Sequence, residues 1–392
     1  MKRLCMLCAA LTVALLSVAQ PQAGYYTYGT LDGKNGRELE LALHEIIYPH
    51  TRVSYGDLWA SYVTTDTAPL DSVPDGCPKT DLVYDMYAWM QYFPKFYSDN
   101  DHSQTGGINR EHSVPNSWWG GESGNAEAYT DLHHLVPADG AANNAKNNHP
   151  LGEKSENDGL TLSWPTQDKY HDGHLYVSKD HACSRVWKVP ADMQDGFGDA
   201  DKVWEPADIY KGDFARMYLY VVCAYEGKIH WQTNYMFTSD DENLTTIRPW
   251  ALDLLLKWHR NDTVSQKELD RNNAVEGIQG NRNPFIDYPE LVEFIWGDLS
   301  SEEFDLGRAK CSYGTSPELV NENKNDGIFV CQNGNSLIVN AEGKIQVIDV
   351  TGRVLIDEAV SKNSIDISLI NKGVYIVRVV GKDVLTQKIV VK

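Results

Sequence analysis

The sequence predicts an α+β fold: a mainly helical core over residues 20–310, followed by a small all-β sandwich module over 327–392. Three observations carry this. The 392 residues suffice for two domains, and 42% hydrophobic with 10% aromatic content can build a sizeable core. Residues 20–310 hold Trp- and Tyr-rich stretches with helical patterns, broken by Asn, Gly and Pro loops. After Cys311 the texture turns polar and then to short alternating strands.

Residues 1–19 read as a signal peptide. Met1-Lys2-Arg3 is a basic start, Leu4 to Val18 is nearly all apolar, and Ser17-Val18-Ala19 supplies the small residues of a cleavage site. The run is short for a bilayer and no later one is long enough, so no membrane span is expected. The expected destination is outside the cell. Three helices stand out beyond it. Leu82 to Phe96 is apolar and aromatic at helical spacing. PWALDLLLKWHR carries Pro249 in its first turn and Ala251, Leu254, Leu255 and Trp258 on one face. Ser265 and Glu268 form a capping box ahead of a helix reaching about Ile278.

Residues 311–326 are a linker, polar from Asn321 to Asp326. Strands are expected at Ser336–Asn340, Lys344–Asp349, Arg353–Ile356, Ser364–Ile370, Val374–Val380 and Val384–Val391, with turns such as Thr351-Gly352 and Lys372-Gly373. This module has no histidine and no clustered carboxylates, so no chemistry of its own is expected. Of seven cysteines, Cys5 and Cys8 lie in the leader, leaving Cys77, Cys183, Cys223, Cys311 and Cys331. An oxidising destination with an odd number and no CxxC spacing implies one or two bridges and at least one free thiol, not a zinc site.

The chemistry concentrates in GGINREHSVPNSWWGG, residues 106–121, where Glu111 and His112 are neighbours, and in YTDLHHLVPADGAANNAKNNHPLGE, residues 129–153. Pro137-Ala138-Asp139 reads as a helix start, and the helix that follows ends before His149-Pro150. Asparagine is a poor helix former, yet this short segment is rich in it, which is tolerable if an amide oxygen is needed as a ligand. Glu111 and an Asn amide are hard donors for Mg²⁺, Mn²⁺ or Ca²⁺. On an extended strand His112 points away from Glu111, so one substrate can meet a metal on one side and an imidazole base on the other. A structural Glu–His pair explains the adjacency equally well from spacing alone. Asp131 and His133 are expected to be structural. His134 and His149 lack the spacing of a zinc motif.

These segments resemble the bacterial endonuclease I family of non-specific nucleases, built around a ββα-metal (His-Me) finger. The resemblance rests on Asn109-Arg-Glu-His-Ser-Val-Pro115, Asp131-Leu-His-His-Leu-Val-Pro137, the Asn143 to Asn148 helix, Lys211-Gly-Asp-Phe-Ala-Arg216 and Ile278-Gln-Gly-Asn-Arg-Asn-Pro-Phe285, in family order. It implies hydrolysis of DNA and also RNA to 5′-phosphate ends, with His112 as general base and Mg²⁺ on Glu111 and Asn143. Members of the family can carry an arginine that steadies the scissile phosphate, but residues 113–142 contain neither Arg nor Lys. Arg110, Lys146 and Arg216 are the candidates for that role. Asn148, Arg216 and Trp118 are the candidate nucleic-acid contacts, although Trp118 and Trp119 are read first as packing and Asp213–Arg216 equally as an ion pair. The terminal module resembles the type IX sorting domain through Gly373–Arg378 and Gln387–Lys392. It implies secretion or surface attachment in a Gram-negative bacterium, with the secretion machinery as partner. An ordinary β-sandwich accessory module is the alternative.

The formal net charge of −20, from 55 acidic against 35 basic residues, is awkward for a protein that binds phosphate. A metal or a local basic cleft has to bring the substrate in. Two other readings stay open: an inactive nucleic-acid-binding or adhesin protein on the same fold, and a small-molecule phosphodiesterase. A monomer is expected. A free imidazole would make activity fall through about pH 6.5.

Overall fold

A computed structural model describes residues 25–26, 29–67, 82–87, 91–94, 108–154, 159–165, 184–312, 330–333, 336–339, 342–349, 353–361, 364–366, 371, 373–380 and 384–391. The expected signal peptide, Cys77 and Cys183 lie outside them. Helices α1 (Gly36–Ile47) and α2 (Leu58–Thr65) are followed by strands β1 (Leu82–Asp85) and β2 (Gln91–Pro94). The expected Leu82–Phe96 helix is therefore an antiparallel pair, with Val83 opposite Phe93 and Tyr84 opposite Tyr92. Aromatic and β-branched side chains suit a half-buried pleat, so this run satisfies two periods and tertiary pairing decides between them.

Strands β3 (Ile108–His112) and β4 (Leu135–Asp139) pair antiparallel, placing Glu111 opposite Val136 and His112 opposite Leu135. Helix α3 (Gly140–Lys146) leaves directly from β4. Asp139 starts it as the sequence suggests: one carboxylate oxygen accepts the Ala142 N–H at 2.8 Å. Pro137 and Ala138 belong to the strand instead. Behind this strand–strand–helix unit, β1 supplies buried Asp85, which accepts the Asp139 N–H at 3.2 Å.

Strands β5 (Thr161–Pro165), β6 (Arg185–Lys188) and β7 (Lys202–Glu205) form one antiparallel sheet. The core is centred on α4 (Lys211–Ala224), whose residues from Gly212 onward are all buried. It packs against α1 and against α5 (Pro249–Asn261). The apolar face expected for α5 is present: Ala251, Leu255 and Trp258 are buried, and Leu254 is half-buried. Helix α6 (Gln266–Gln279) has both halves of the capping box and ends on Gly280 at φ +81°, a left-handed stop that glycine takes without strain. The thiol of Cys223 lies buried in α4 without a disulfide.

In the C-terminal region β8 (Val330–Asn333), β9 (Ser336–Val339) and β12 (Ser364–Asp366) form one antiparallel sheet. Strands β11 (Val354–Ser361), β10 (Glu342–Asp349), β13 (Gly373–Val380) and β14 (Val384–Val391) form another in that order. Strand β8, which the sequence hides in its polar flank, is an addition to the expected set. Ile345, Val347, Tyr375, Val377 and Val379 are buried in alternation, as a one-sided sheet requires. No helix among the described residues is long and apolar enough to cross a membrane.

Glu268 joins two of these devices. Its carboxylate closes the α6 capping box and takes a two-pronged contact from the buried Arg216, at 2.5 and 2.9 Å. Glu268→Ala strips both and leaves a guanidinium buried without its counter-ion. It should cost about 3–5 kcal/mol in chemical denaturation.

Candidate active site

Glu111 and His112 end strand β3 and share one polar cleft of about 230 Å³. Pro115, Asn116, Asn143, Asn144, Asn147 and Asn148 line the rest of it. The strand sets the division of labour. Glu111 turns toward α3, where the Lys146 ammonium meets its Oε1 at 2.9 Å. His112 turns toward the single helical turn Ala126–Tyr129, where its Nε2 lies 2.7 Å from the Tyr129 carbonyl. A carbonyl only accepts, so Nε2 carries the proton and Nδ1 keeps the lone pair. That Nδ1 lies 3.3 Å from the Asn116 amide nitrogen at the cleft.

Burial controls the charges. It pushes the His112 pKa down to about 3, with His134 nearby adding to the effect and the Tyr129 carbonyl opposing it. The imidazole is therefore neutral at ordinary pH, and its unprotonated Nδ1 accepts the Asn116 amide N–H. Burial also pushes the Glu111 carboxyl up, against the pull of Lys146 and of the Asn143 amide. The donor set of Glu111 carboxylate plus Asn143 amide is all oxygen. Among the described residues no three His, Cys, Asp or Glu gather into a metal cage. The Glu111 carboxylate and the Asn143 amide oxygen could hold a hard divalent cation, with waters completing its shell.

Glu111, His112, Asn143 and Asn148 meet in the cleft; the other sequence candidates do not. Lys146 has no exposed side-chain surface, and its ammonium also reaches the carbonyls of His112 and Asn147. It lies 5.8 Å from the Tyr87 ring and 5.9 Å from the Trp204 ring. It cannot touch a phosphate in this conformation, because its hydrogens are spent on oxygens of the protein. Arg216 is removed by the same logic: it is buried, held by Glu268, and donates to the Asp262 carbonyl at 2.8 Å. The alternative Asp213–Arg216 pair does not form its own bridge, since Asp213 takes Lys267 instead. Trp118 is fully buried, and its indole N–H ties the Asn148 carbonyl at 3.1 Å, so it anchors the cleft wall and offers no stacking face. Arg110 is half-buried and does not line the cleft. Its guanidinium lies 3.7 Å from the Tyr55 ring and donates to the Tyr55 carbonyl.

Sequence reasoning missed Tyr129 and Asn116. A main-chain carbonyl leaves no sequence signal, whereas Asn116 stands four residues from His112 within the quoted motif. Asp131 and His133 are buried and do not line the cleft. Buried Asp131 accepts from the hydroxyls of Tyr220 and Tyr225 at 2.7 and 2.8 Å and from the Gln279 amide at 2.9 Å.

Known proteins match the chain in two parts. The family described as Endonuclease I matches residues 35–290, which contain the whole cleft. The family described as Secretion system C-terminal sorting domain matches residues 325–392. An extracellular ribonuclease of Bacillus amyloliquefaciens is 33% identical over 288 residues, covering 71% of this chain and 81% of that protein. An extracellular ribonuclease of Bacillus subtilis (strain 168) is 31% identical over 294 residues, covering 73% and 84% respectively.

The buried histidines make the fold acid-sensitive. His112, His133 and His259 are held down to about 3, about 4 and about 4, chiefly by burial. Each binds a proton more readily in the unfolded chain, so stability is lost as pH falls below about 6.5 toward these values. The slope is about 1.4 kcal/mol per pH unit per histidine. Glu40 and Asp262, raised chiefly by burial to about 7 and about 6, and Glu111 and Asp213, also raised, work the opposite way, but His134 and His149 are held down too, so five imidazoles stand against four carboxyls. Melting temperature should therefore fall steadily from pH 6.5 to 4. A flat profile there would mean that these imidazoles titrate normally in the folded chain.

Proposed function

Because the chain belongs to the Endonuclease I family and ends in a secretion sorting domain, we propose that it is an exported, Mg²⁺-dependent, non-specific endonuclease. It cleaves DNA and RNA to 5′-phosphate ends. That it is a nuclease, a phosphodiester hydrolase, follows from the family. The names of the Bacillus relatives favour including RNA in the substrate range. The observation that carries the finer reading is the cleft itself. It joins a neutral imidazole, with Nδ1 unprotonated on the Asn116 amide at the cleft and Nε2 tied to Tyr129, to the oxygen donors Glu111 and Asn143.

The strand pair β3–β4 with α3 then acts as a ββα finger. His112 takes a proton from the attacking water at Nδ1, and its Nε2–H bond to the Tyr129 carbonyl steadies the imidazolium that results. Glu111 and Asn143 would hold the ion, with waters and phosphate oxygens completing its shell. When bound, the ion supplies positive charge for the phosphoryl group and the leaving oxygen. Lys146 keeps the Glu111 carboxylate in place from behind. The C-terminal region serves export through the secretion machinery, so the enzyme acts outside the cell or at its surface.

Digestion of plasmid DNA and of RNA tests the reading. Both should be cut with Mg²⁺ or Mn²⁺, and EDTA should stop the cutting reversibly. His112→Ala should lower turnover about 10²–10⁴-fold, the usual range for loss of a general base. Added Mg²⁺ should not restore it. Glu111→Ala and Asn143→Ala should weaken metal binding and recover partly at high Mg²⁺. Near-wild-type cutting by His112→Ala removes His112 as base.

The acid limb of the rate should lie well below 6.5, because a base with a pKa near 3 stays unprotonated further into acid. A rate that halves near pH 6.5, at a pH where the protein is still folded, contradicts the tie to Tyr129 and its burial. Residues 20–316 expressed alone should keep the activity, since the whole cleft lies before the linker. A folded but inactive product would show that the C-terminal region takes part in cutting.

A further inference from the structure

Among the described residues, the cleft lining contains no Lys or Arg side chain. That lining is one carboxylate, one imidazole, one proline and five asparagines, and each of the three sequence candidates for a phosphate-steadying cation is engaged elsewhere. Among the described residues, the side-chain donors this cleft offers a scissile phosphate are neutral amides. Two of those amides are fixed in a way that suits the task.

Asn147 follows the last residue of α3 and sits at φ +48°, a left-handed conformation that asparagine tolerates better than most residues. Its Oδ1 accepts the Asn148 main-chain N–H at 2.8 Å. With the oxygen tied back to the chain, the amide NH₂ is the end left to face outward. Asn148 is pinned through its main chain on both sides: its N–H goes to Asn147 and its carbonyl takes the Trp118 indole N–H at 3.1 Å. Its side chain is exposed, as is that of Asn147, and both line the cleft with Glu111 and His112. An α-helix end normally repels anions, because its carbonyls carry partial negative charge. Here the Lys146 ammonium lies beneath that end, within reach of the Asn147 carbonyl and bonded to Glu111, and offsets both.

Resting on the nuclease reading above, we propose that the side-chain amides of Asn147 and Asn148 hold the non-bridging oxygens of the scissile phosphate, in the role a basic side chain fills elsewhere. Donation from a fixed neutral amide to a charged oxygen gains less than an ion pair in water. It gains more in a cleft floored by buried groups, and it brings no unpaired charge when the cleft is empty.

The test separates the amide from the backbone shape. Asn147→Gly keeps the left-handed conformation and removes the amide, and Asn148→Ala removes the other amide without touching the pinned main chain. Each should lower kcat/KM on a short single-stranded oligonucleotide by about tenfold to a hundredfold, the range expected for a hydrogen bond to a charged group. Two readouts should stay put: the melting temperature, and Mn²⁺ affinity measured by electron paramagnetic resonance without substrate. Binding of the same oligonucleotide in Ca²⁺, followed by fluorescence anisotropy, should weaken in parallel. Asn147→Gly with wild-type kcat/KM and binding would reduce Asn147 to a helix stop and overturn its part. The same result for Asn148→Ala would overturn the whole proposal. His112→Ala is the control for the underlying reading. If it is inactive but binds the oligonucleotide normally while the asparagine variants behave as wild type, only the amide proposal fails. If it remains active, the reading of the site fails first.

Discussion

A primary ammonium with no contact to water has to be surrounded by acceptors, and that demand organises this protein's cleft. Lys146 reaches Glu111 Oε1 at 2.9 Å and the carbonyls of His112 and Asn147 at 3.4 and 3.5 Å. Those three oxygens belong to the end of β3 and to the residue just past α3, so satisfying one cation fastens the strand to the helix. Stacked Tyr87 and Trp204, with ring centres 5.0 Å apart, lie 5.8 and 5.9 Å from the ammonium. Burying such a group unpaired would cost several kcal/mol, which leaves the carboxylate and the two carbonyls little freedom. Glu111 is therefore presented from a fixed position, and the distance between β3 and the asparagines of α3 is set by the same contact.

The adjacency of Glu111 and His112 takes its meaning from this frame. Alternation along a strand sends the carboxylate toward α3 and the imidazole toward Tyr129, yet the strand ends at the cleft, so both reach it. Burial acts on the two in opposite senses of charge but toward the same end, since each neutral form is favoured. For His112 that leaves an unprotonated nitrogen, shared only with the neutral Asn116 amide among the cleft residues, which is what proton abstraction requires. For Glu111 the buried ammonium opposes the effect and keeps a negative oxygen available. The two neighbours need different surroundings, and only a residue spacing of one on an extended chain provides them within a single small cleft.

Much of this was legible in the sequence, for identifiable reasons. The α5 and α6 helices announced themselves through Pro249, the spacing of Ala251, Leu255 and Trp258, and the Ser265–Glu268 box, all of which are local devices. The alternating strands of the C-terminal region were equally local. Glu111, His112, Asn143 and Asn148 were found together because the motif containing them is compact. What failed depended on partners far along the chain. Leu82–Phe96 read as a helix because its strand pairing is invisible to periodicity. Arg216 read as a phosphate contact because its bond to Glu268 spans 52 residues. Lys146 read as a candidate to steady the phosphate because its ammonium meets Tyr87, Trp204 and Glu111, none of them near it in sequence.

The acidic charge of the chain fits this cleft better than the sequence alone suggests. At physiological ionic strength charges separated by more than about 8 Å are largely screened, so the overall −20 does little to a phosphate already inside the cleft. The local balance matters instead: Glu111 is matched by Lys146 beneath it, His112 is neutral, and the remaining walls are amides and Pro115. Such a cleft is close to electroneutral, neither repelling the substrate strongly nor attracting it. In the proposed reaction, a divalent ion on Glu111 and Asn143 would then be the dominant positive charge a phosphodiester meets. That ion is asked to recruit the substrate as well as to stabilise its reaction. A basic cleft would hold the polyanionic product as firmly as the substrate; a neutral one, charged by a metal, leaves most of the binding at the scissile phosphate.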